Sequence, residues 1–226
     1  GLNPFSLPAL VALVLATANF LWVLRSFPET IRDVQPDHAR RPTNPLQLLR
    51  PFDSPQVNRV NLLYFIFTVA FAGMEFTPTF LAKDRFGYTA AQNGYLFLFF
   101  GLILAFVQGG VIRRIAPKYG EKKLVIAGLA TILPGLLLIA ICQSQAVLYS
   151  GIFLLAVGSS LVTPSLTALV SLYASDDRQG EVLGVFRSAG SLARGVAPLA
   201  AASVYWRFGS QWPYLGSALI LVVPLL

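Results

Sequence analysis

Cysteine, histidine and charged side chains are scarce in this sequence. The chain has one cysteine, Cys142, one histidine, His38, and only 12% charged residues among its 226 residues. A single cysteine excludes an intramolecular disulfide framework and a multi-cysteine metal site, and His38 has no partner at a metal-binding spacing, so we predict no cofactor and no bound metal. The sequence also lacks the Gly-x-x-x-x-Gly-Lys-Ser/Thr phosphate loop, which excludes nucleotide hydrolysis by that route. We therefore predict that the chain is not an enzyme.

Apolar residues, by contrast, are abundant. Hydrophobic side chains make up 55% of the chain, and the mean hydropathy is +0.66. Most of seven apolar stretches reach the ~20 residues that cross a hydrocarbon core, and they do not alternate as barrel strands would. The stretches are residues 6–24, 60–82, 92–112, 124–142, 146–172, 182–205 and 211–226. The sequence thus predicts an all-α integral membrane protein with seven transmembrane helices, the last one truncated.

The basic residues lie mostly in alternate gaps between these stretches. Thirteen of the 17 Lys and Arg residues fall in three alternate gaps, namely 25–59, 113–123 and a third that holds Arg178 and Arg187, whereas the opposite side has only Lys83, Arg85 and Arg207. Because cytoplasmic loops carry an excess of Lys and Arg, these gaps are predicted to be cytoplasmic and residue 1 extracellular or lumenal. The net charge of +7 therefore reflects membrane topology, and we predict contact with a lipid bilayer and none with nucleic acid.

The spacing of the stretches divides the chain into three parts. The first stretch is followed by Phe27-Pro28-Glu29-Thr30 and has no small-residue cleavage pattern, so it is predicted to span the membrane rather than to act as a signal peptide. A polar, proline-rich gap follows, and the later stretches are separated by short gaps that favour a compact antiparallel bundle. We predict one helix at 1–24, a cytoplasmic linker at 25–59 and a six-helix bundle at 60–226.

Several short sequences in this arrangement resemble those of a known family. They are Phe27-Pro28-Glu29-Thr30, Leu62-Leu63-Tyr64-Phe65-Ile66-Phe67, Glu75-Phe76-Thr77, Gln108-Gly109-Gly110-Val111-Ile112-Arg113-Arg114, Gly120-Glu121-Lys122-Lys123, Arg187-Ser188, Leu192-Ala193-Arg194 and Ala201-Ala202-Ser203-Val204-Tyr205-Trp206. Together with the helix, linker and bundle order, they resemble the second half of a major facilitator superfamily transporter. The finer pattern is similar to the drug:proton antiporters around the tetracycline efflux proteins.

This resemblance implies a twelve-helix protein whose sixth helix is the first span here. It further implies a missing N-terminal half of the same protein, small-molecule organic solutes and protons as partners, and antiport by alternating access. Secondary transporters of this kind place their site near the membrane midplane, between two bundles that rock around it. The candidate residues are therefore polar or charged side chains at that depth.

Glu75 is the sharpest candidate, for proton coupling. It lies about 22 Å from the start of its stretch at Val60, at 1.5 Å per residue, which is inside the membrane. Polar or small residues recur on the same predicted helix at steps of three or four and could face a cavity. They are Asn61, Tyr64, Thr68, Ala72, Glu75 and Thr79. A buried carboxyl is costly, so Glu75 could titrate during transport; the alternative is a neutral carboxyl that only joins helices by a hydrogen bond.

Arg194 is the second candidate, for a substrate contact or a buried ion pair. It lies about 20 Å beyond Glu181, near mid-membrane, and arginine stays charged at any relevant pH. Its counter-charge could be Glu75, a substrate carboxylate or a carboxylate of the missing half. Arg187, seven residues earlier on the same face, could instead extend to the interface.

Gln108 and the following cytoplasmic turn form a third group. Gln108 could meet the cavity or form an interhelical hydrogen bond, and glycines such as Gly94, Gly101, Gly151, Gly158, Gly184, Gly190 and Gly195 are expected where helices approach closely. We interpret seven residues as a gating loop, in which glycines permit close approach and cations bind helix C-termini in one state. They are Gly109, Gly110, Arg113, Arg114, Gly120, Lys122 and Lys123. The alternative is that these charges only set topology.

These observations together predict a proton-coupled antiporter of amphiphilic organic solutes, drug-like or anionic. Two alternatives share the helix count. A seven-helix receptor has the same topology, although the long first cytoplasmic gap argues against it. A truncated, non-transporting half could also act as a scaffold.

Overall fold

The computed structural model describes residues 6–27 and 51–222, and the chain divides into two compact units, Gly1–Gln47 and Leu48–Leu226. The described part of the first unit is helix α1 (Ser6–Ser26). The second unit contains α2 (Pro55–Gly73), α3 (Thr77–Phe86), α4 (Ala90–Phe106), a π-helical turn (Val107–Val111), α5 (Ile112–Tyr119), α6 (Glu121–Ile141), α7 (Gln145–Tyr173), α8 (Gln179–Phe208) and α9 (Trp212–Val222). The predicted all-α architecture is confirmed.

Five helical segments of the described ranges are long and apolar enough to cross a membrane. They are Ser6–Ser26, Pro55–Phe86, Ala90–Tyr119, Glu121–Ile141 and Gln145–Tyr173. Helix α8 has 30 residues, which exceeds the length needed, but Arg187 and Arg194 along it lower its hydropathy. Helix α9 has 11 described residues, and the end of the predicted seventh span, residues 223–226, lies outside the described ranges.

Local sequence explains where three of the helices begin. Ser54 Oγ accepts a hydrogen bond from the Val57 backbone N–H and Pro55 occupies the first turn, so α2 begins five residues before the predicted apolar stretch. Thr89 and Gln92 form a reciprocal capping box at the start of α4, and Ser144 caps α7. Most of the predicted linker at 25–59 lies outside the described residues, so the division at that point stays a prediction.

The tightest packing joins α6 to α7 through four glycines. A Cβ placed on Gly158 would lie 2.5 Å from Ile132 Cγ1 and 2.6 Å from the Gly128 carbonyl oxygen. Gly135 and Gly151 oppose each other in the same way, since a Cβ on either would lie 2.9 Å from the other's carbonyl oxygen. This backbone-to-backbone contact confirms the predicted close approach at Gly151 and Gly158, and it is how small residues join membrane helices.

Other glycines do not mark close approaches. A Cβ placed on any of Gly94, Gly101, Gly109, Gly110, Gly184 and Gly195 would meet no atom within 4 Å. These positions lie on faces of α4, the π-helical turn and α8 that no neighbouring helix of the described residues covers, so the predicted close approach at them stays a prediction. Only Gly190 of α8 meets a neighbour, the ring of Tyr64.

Two helices depart from a regular α-helical course. The predicted continuous helix at 60–82 is interrupted at Met74–Phe76, where α2 ends and α3 begins. Pro78 has no N–H to donate to the Met74 carbonyl. The chain instead forms shorter-range hydrogen bonds here, from the Met74 N–H to the Phe71 carbonyl and from the Glu75 N–H to the Ala72 carbonyl. In the second departure, the Ile112 N–H bonds to the Val107 carbonyl, five residues back, across Gln108-Gly109-Gly110.

Candidate functional site

Glu75 lies in the interruption between α2 and α3 rather than within a regular helix. Its side chain is exposed, and its N–H bonds to the Ala72 carbonyl at 3.3 Å. The Thr79 hydroxyl donates to the Phe76 carbonyl at 2.7 Å, so the hydrogen atom of this neighbouring hydroxyl is used inside the turn. The Glu75 carboxyl group therefore accepts no hydrogen bond from any donor among the described residues.

An open pocket with a cavity volume of about 140 Å³ lies beside Glu75. Its walls come from the end of α2, the interruption, α3, α4 and α7, and Glu75 is the one charged group among the lining residues. Much of the remaining wall is aromatic or aliphatic, including Phe71, Phe97, Phe100, Leu96 and Leu155. The Phe71 and Phe100 rings lie 6.2 Å apart, centre to centre. An apolar wall with a single polar group is the typical lining of a site for an amphiphilic small molecule.

The predicted polar stripe divides between two environments. Tyr64 is 6% exposed and stacks on Phe186 of α8 with ring centres 3.8 Å apart, while Thr68 is 2% exposed. Both lie in the core of the second unit, away from the Glu75 pocket. Asn61 Oδ1 and Thr68 Oγ1 are buried with no hydrogen-bond partner in the described part of the chain. Tyr64 and Thr68 thus remain candidates only if transport exposes the face of α2 that packs on α8.

Arg187 and Arg194 both lie on exposed positions of α8. Within residues 6–27 and 51–222, every ion pair involves Arg178, so neither arginine pairs with Glu75 in this structure. The described residues that line the Glu75 pocket include none from α8. The carboxyl and the two arginines are therefore separate features, and of the three counter-charges considered for Arg194, Glu75 is not the one found here.

The candidate gating residues surround the π-helical turn and the start of α6. Gln108, Gly109 and Gly110 are exposed within that turn, and π-helical turns are frequent at functional sites. Gly120 separates α5 from α6 with φ of 78°, a conformation that favours glycine. The cations of this segment lie at the surface, exposed or partly exposed. They are Arg113, Arg114, Lys118, Lys122 and Lys123.

Sequence reasoning missed a cluster at the other end of the second unit, which we call the Arg85 clamp. The Arg85 guanidinium donates to the Cys142 carbonyl at 2.7 Å, to the Ala140 carbonyl at 3.0 Å and to Ser210 Oγ at 2.9 Å. Next to it, the Tyr205 hydroxyl donates to Asp84 at 2.6 Å. The clamp joins α3 to the end of α6 and to the turn between α8 and α9. The adjacent Asp84 and Arg85 were its only sequence signal.

The single cysteine of the chain forms part of this clamp. Cys142 is 0% exposed and follows the last residue of α6. Burial raises the pKa of its thiol, and the charge of Arg85 and its hydrogen bond oppose part of that rise. Since the thiolate is the reactive form, Cys142 is predicted to react slowly while the clamp is intact.

Sequence analysis also missed a contact where the second unit begins. Arg178, in the turn before α8, pairs with Glu181 at 3.0 Å and with Asp53 at 3.4 Å, and its guanidinium lies 5.4 Å from the centre of the Phe52 ring. Asn58 of α2 donates to the Phe52 carbonyl at 2.6 Å and accepts from its N–H at 2.8 Å. Residues 52–54 are thereby attached to α2 and to the turn before α8.

The sequence profile of the Major Facilitator Superfamily matches residues 3–198 and 109–226. Major facilitator superfamily domain-containing protein 10 from Homo sapiens is 34% identical, over 92% of this chain and 50% of its own length, and the Mus musculus protein is 32% identical over 96% and 52%. Tetracycline resistance protein class C from Escherichia coli is 32% identical over 62% of this chain and 36% of its own length. The chain spans about half the length of the animal relatives.

Solved structures give the same result. The crystal structure of the human organic anion transporter MFSD10 (TETRAN) superposes with a TM-score of 0.85 at 33% identity, and the match covers 98% of this chain and 57% of that protein. A peptide transporter, POT, in complex with sulfate superposes with a TM-score of 0.65 at 18% identity over 78% of this chain and 38% of its own, a likeness of fold alone.

Proposed function

This chain belongs to the major facilitator superfamily, a family of transporters rather than enzymes, and on that premise we propose that it is the C-terminal half, with the preceding helix, of a secondary active transporter. The complete protein would move amphiphilic organic solutes in exchange for protons by alternating access. Its missing N-terminal half would supply the other bundle. Residue 1 would lie on the extracellular or lumenal side, and the segment at 25–59 in the cytoplasm.

The observation that carries this proposal is the position of Glu75. A carboxyl that couples proton movement to solute movement must be reachable from a cavity and must not be held permanently by a cation. Glu75 is exposed in a helix interruption, lines an open pocket and has no basic partner among the described residues. Interrupted helices are a recurrent element of binding sites in secondary transporters.

The names of the relatives and two exposed arginines of α8 both support the proposed class of solute. The solved human relative is named as an organic anion transporter, and several bacterial relatives are named tetracycline resistance proteins. In this chain, Arg187 and Arg194 are exposed on α8 and could contact an anionic solute. We therefore propose drug-like amphiphiles, including organic anions, as the solutes of the complete protein.

The experiment uses the complete gene product reconstituted in liposomes with an imposed pH gradient. Three probes cover the proposed solutes: fluorescein as an anion, rhodamine 6G as a cation, and tetracycline. We expect the Glu75→Gln variant to lose flux driven by the pH gradient while it keeps its fold, because an amide cannot take up and release a proton at these pH values. Asp176→Asn, which changes an exposed carboxylate in the turn before α8, should leave flux unchanged.

Flux driven by the pH gradient that is equally large in Glu75→Gln and in the parent protein would reject Glu75 as the coupling residue. Absence of flux for all three probes in the parent protein, despite correct folding, would favour the non-transporting scaffold. The seven-helix receptor does not fit the family to which the chain belongs.

A further inference from the structure

A second open pocket lies at the Arg85 clamp, at the end of the second unit where α3, α6 and α8 finish. Its cavity volume is about 620 Å³, and its walls come from α3, from residues 140–143 at the end of α6, and from Gln211 and Leu215 at the start of α9. It shares no lining residue with the Glu75 pocket. We call it the Arg85 pocket, since Arg85 is the one charged residue in its described wall. Its volume falls in the range of sites that bind small organic molecules.

The charge of Arg85 has no acidic partner among the described residues. One terminal nitrogen of its guanidinium bonds to the Cys142 carbonyl and thiol, and the other bonds to the Ala140 carbonyl and to Ser210 Oγ. These bonds occupy the N–H groups of both terminal nitrogens, so Nε–H is the donor without a partner in that part of the chain. All of these partners are neutral, and every ion pair of the described ranges involves Arg178. The pocket wall therefore carries a full positive charge and an available donor.

Charges around the pocket also favour an anion. The segments that meet at this end of the second unit are residues 83–92, 141–146 and 205–212. They contain three cations, Lys83, Arg85 and Arg207, and one carboxylate, Asp84. Asp84 accepts a hydrogen bond from the Tyr205 hydroxyl at 2.6 Å and does not line the pocket. A local excess of positive charge raises the concentration of anions near it, so this end of the second unit attracts anionic ligands.

The rest of the wall suits an amphiphilic anion. Gln143 and Gln211 are exposed and line the pocket, and each side-chain amide has two N–H groups to donate to an oxygen anion. Phe86, Ile141 and Leu215 supply apolar surface for the remainder of the molecule. A guanidinium is more weakly hydrated than an ammonium, so it gives up less hydration when a carboxylate binds beside it. The wall thus offers a cation, amide donors and an apolar surface to a single ligand.

We propose that the Arg85 pocket binds amphiphilic organic anions that carry a carboxylate, with the head group at Arg85 Nε and the two glutamine amides and the apolar body on the aromatic and aliphatic wall. This goes beyond the proposed function, because the pocket is separate from Glu75 and from the α8 arginines and its occupancy requires no transport. On the proposed topology, the pocket opens on the extracellular or lumenal side. Both a dissolved solute and a lipid such as phosphatidylserine can supply the carboxylate.

The test compares 2-naphthoate with 2-naphthamide, a neutral molecule of nearly the same shape. Saturable binding of each to the purified complete protein is measured by equilibrium dialysis in detergent, for the parent protein and for Gln211→Glu. That variant adds a negative charge to the pocket wall and leaves the Arg85 clamp in place, whereas Arg85→Ala would also open the clamp. Gln145→Glu is the matched control, since Gln145 is exposed at the same end and does not line the pocket.

We expect the parent protein to bind 2-naphthoate more tightly than 2-naphthamide. Gln211→Glu should weaken 2-naphthoate binding by about tenfold, the scale of two like charges about 5 Å apart in a partly solvated site, and should change 2-naphthamide binding little. Gln145→Glu should leave both ligands nearly unaffected. A second measurement in nanodiscs identifies the source of the carboxylate. Displacement of 2-naphthoate when phosphatidylserine replaces part of the phosphatidylcholine assigns the pocket to a lipid, and no displacement assigns it to a dissolved solute.

Absence of saturable 2-naphthoate binding to the parent protein, unchanged binding in Gln211→Glu, or equal weakening of both ligands would overturn the inference. Binding of 2-naphthoate that is lost in Arg194→Ala and kept in Gln211→Glu would place the anion on α8 and would also overturn it. None of these results bears on proton coupling at Glu75, which is measured by flux in liposomes, so the failure of one proposal is distinguishable from the failure of the other.

Discussion

Replacing Arg85 with alanine removes the clamp that joins α3 to the end of α6 and to the turn before α9. The side chain makes three hydrogen bonds to oxygen atoms, namely the carbonyls of Ala140 and Cys142 and Ser210 Oγ, at 2.7 to 3.0 Å, and a longer one of 3.5 Å to Cys142 Sγ. The two carbonyls belong to the end of α6, where carbonyl groups lack partners within the helix and where a cation is favourable. Ala140 and Cys142 are 1% and 0% exposed with Arg85 in place, and without the guanidinium their carbonyl groups lose this partner.

The magnitude follows from these contacts. A buried carbonyl left without a partner costs about 1 to 3 kcal/mol, and the three bonds act as one unit, so we expect about 2 to 4 kcal/mol in total rather than a sum over all three. A factor of ten corresponds to about 1.4 kcal/mol, so the population in which the clamp is open should rise roughly 30- to 700-fold.

Cys142 provides the assay, because it is the one cysteine of the chain and forms part of the clamp. The complete protein, with any cysteine outside this chain replaced, is treated with a thiol-reactive fluorogenic maleimide at low denaturant, and the rate of Cys142 labelling is measured. Labelling requires opening of the clamp, so Arg85→Ala should accelerate it by the factor given above. Lys83→Ala, two residues away on an exposed position, is the matched control and should change the rate little.

The change in the pKa of the Cys142 thiol works against the expected acceleration of labelling. Arg85 opposes the rise that burial causes in the pKa of Cys142, so its removal raises that pKa further and lowers the thiolate fraction in the closed state. That effect slows labelling, and only opening of the structure can accelerate it. A rate for Arg85→Ala within about twofold of that for Lys83→Ala would refute a stabilising role of the clamp.

Two further predictions concern packing and the arginine on α8. Gly158→Ala should lower the free energy of unfolding by on the order of 1 to 3 kcal/mol, and the thermal unfolding temperature of the purified protein by several degrees, because the new Cβ would meet the Gly128 carbonyl and Ile132. Gly94→Ala, whose Cβ would face open space, should be neutral or slightly stabilising. Arg194→Ala should weaken fluorescein binding to the complete protein about tenfold at unchanged expression; lower expression with unchanged affinity of the surviving protein would show that Arg194 is structural.

The positions of the helices could be predicted well, because a membrane span is encoded locally by a run of apolar residues. The predicted stretch at 124–142 corresponds to α6, Glu121–Ile141, and that at 146–172 to α7, Gln145–Tyr173. The interruption at Met74–Phe76 was not predicted, because the run of apolar residues continues through it: Pro55–Phe86 is a single apolar segment. Its signals were backbone signals, Gly73 before it and Pro78 after it.

Side-chain partners were predicted less well, because they depend on contacts distant in the sequence. Helical spacing placed Tyr64 and Thr68 on one stripe with Glu75, but spacing cannot tell a face that packs on another helix from one that borders a cavity. Tyr64 packs on Phe186, and Arg85 reaches Ser210, 125 residues away. Arg85 was interpreted only as a marker of topology, and the adjacent Asp84 was the only local signal of a clamp. The roles of Glu75, Arg194 and the gating residues stay predictions.

The π-helical turn at Val107–Val111 has a consequence for how relatives of this chain should be aligned. One extra residue in a helical turn rotates everything after it by about 100° relative to a regular α-helix. Positions seven apart that span this turn therefore do not share a face, although the helix runs on without a break from Ala90 to Tyr119. A relative lacking one residue among Gln108, Gly109 and Gly110 could keep a continuous α-helix and still present α5 on the same side. This turn is therefore the place in the segment where a one-residue gap in an alignment is physically reasonable.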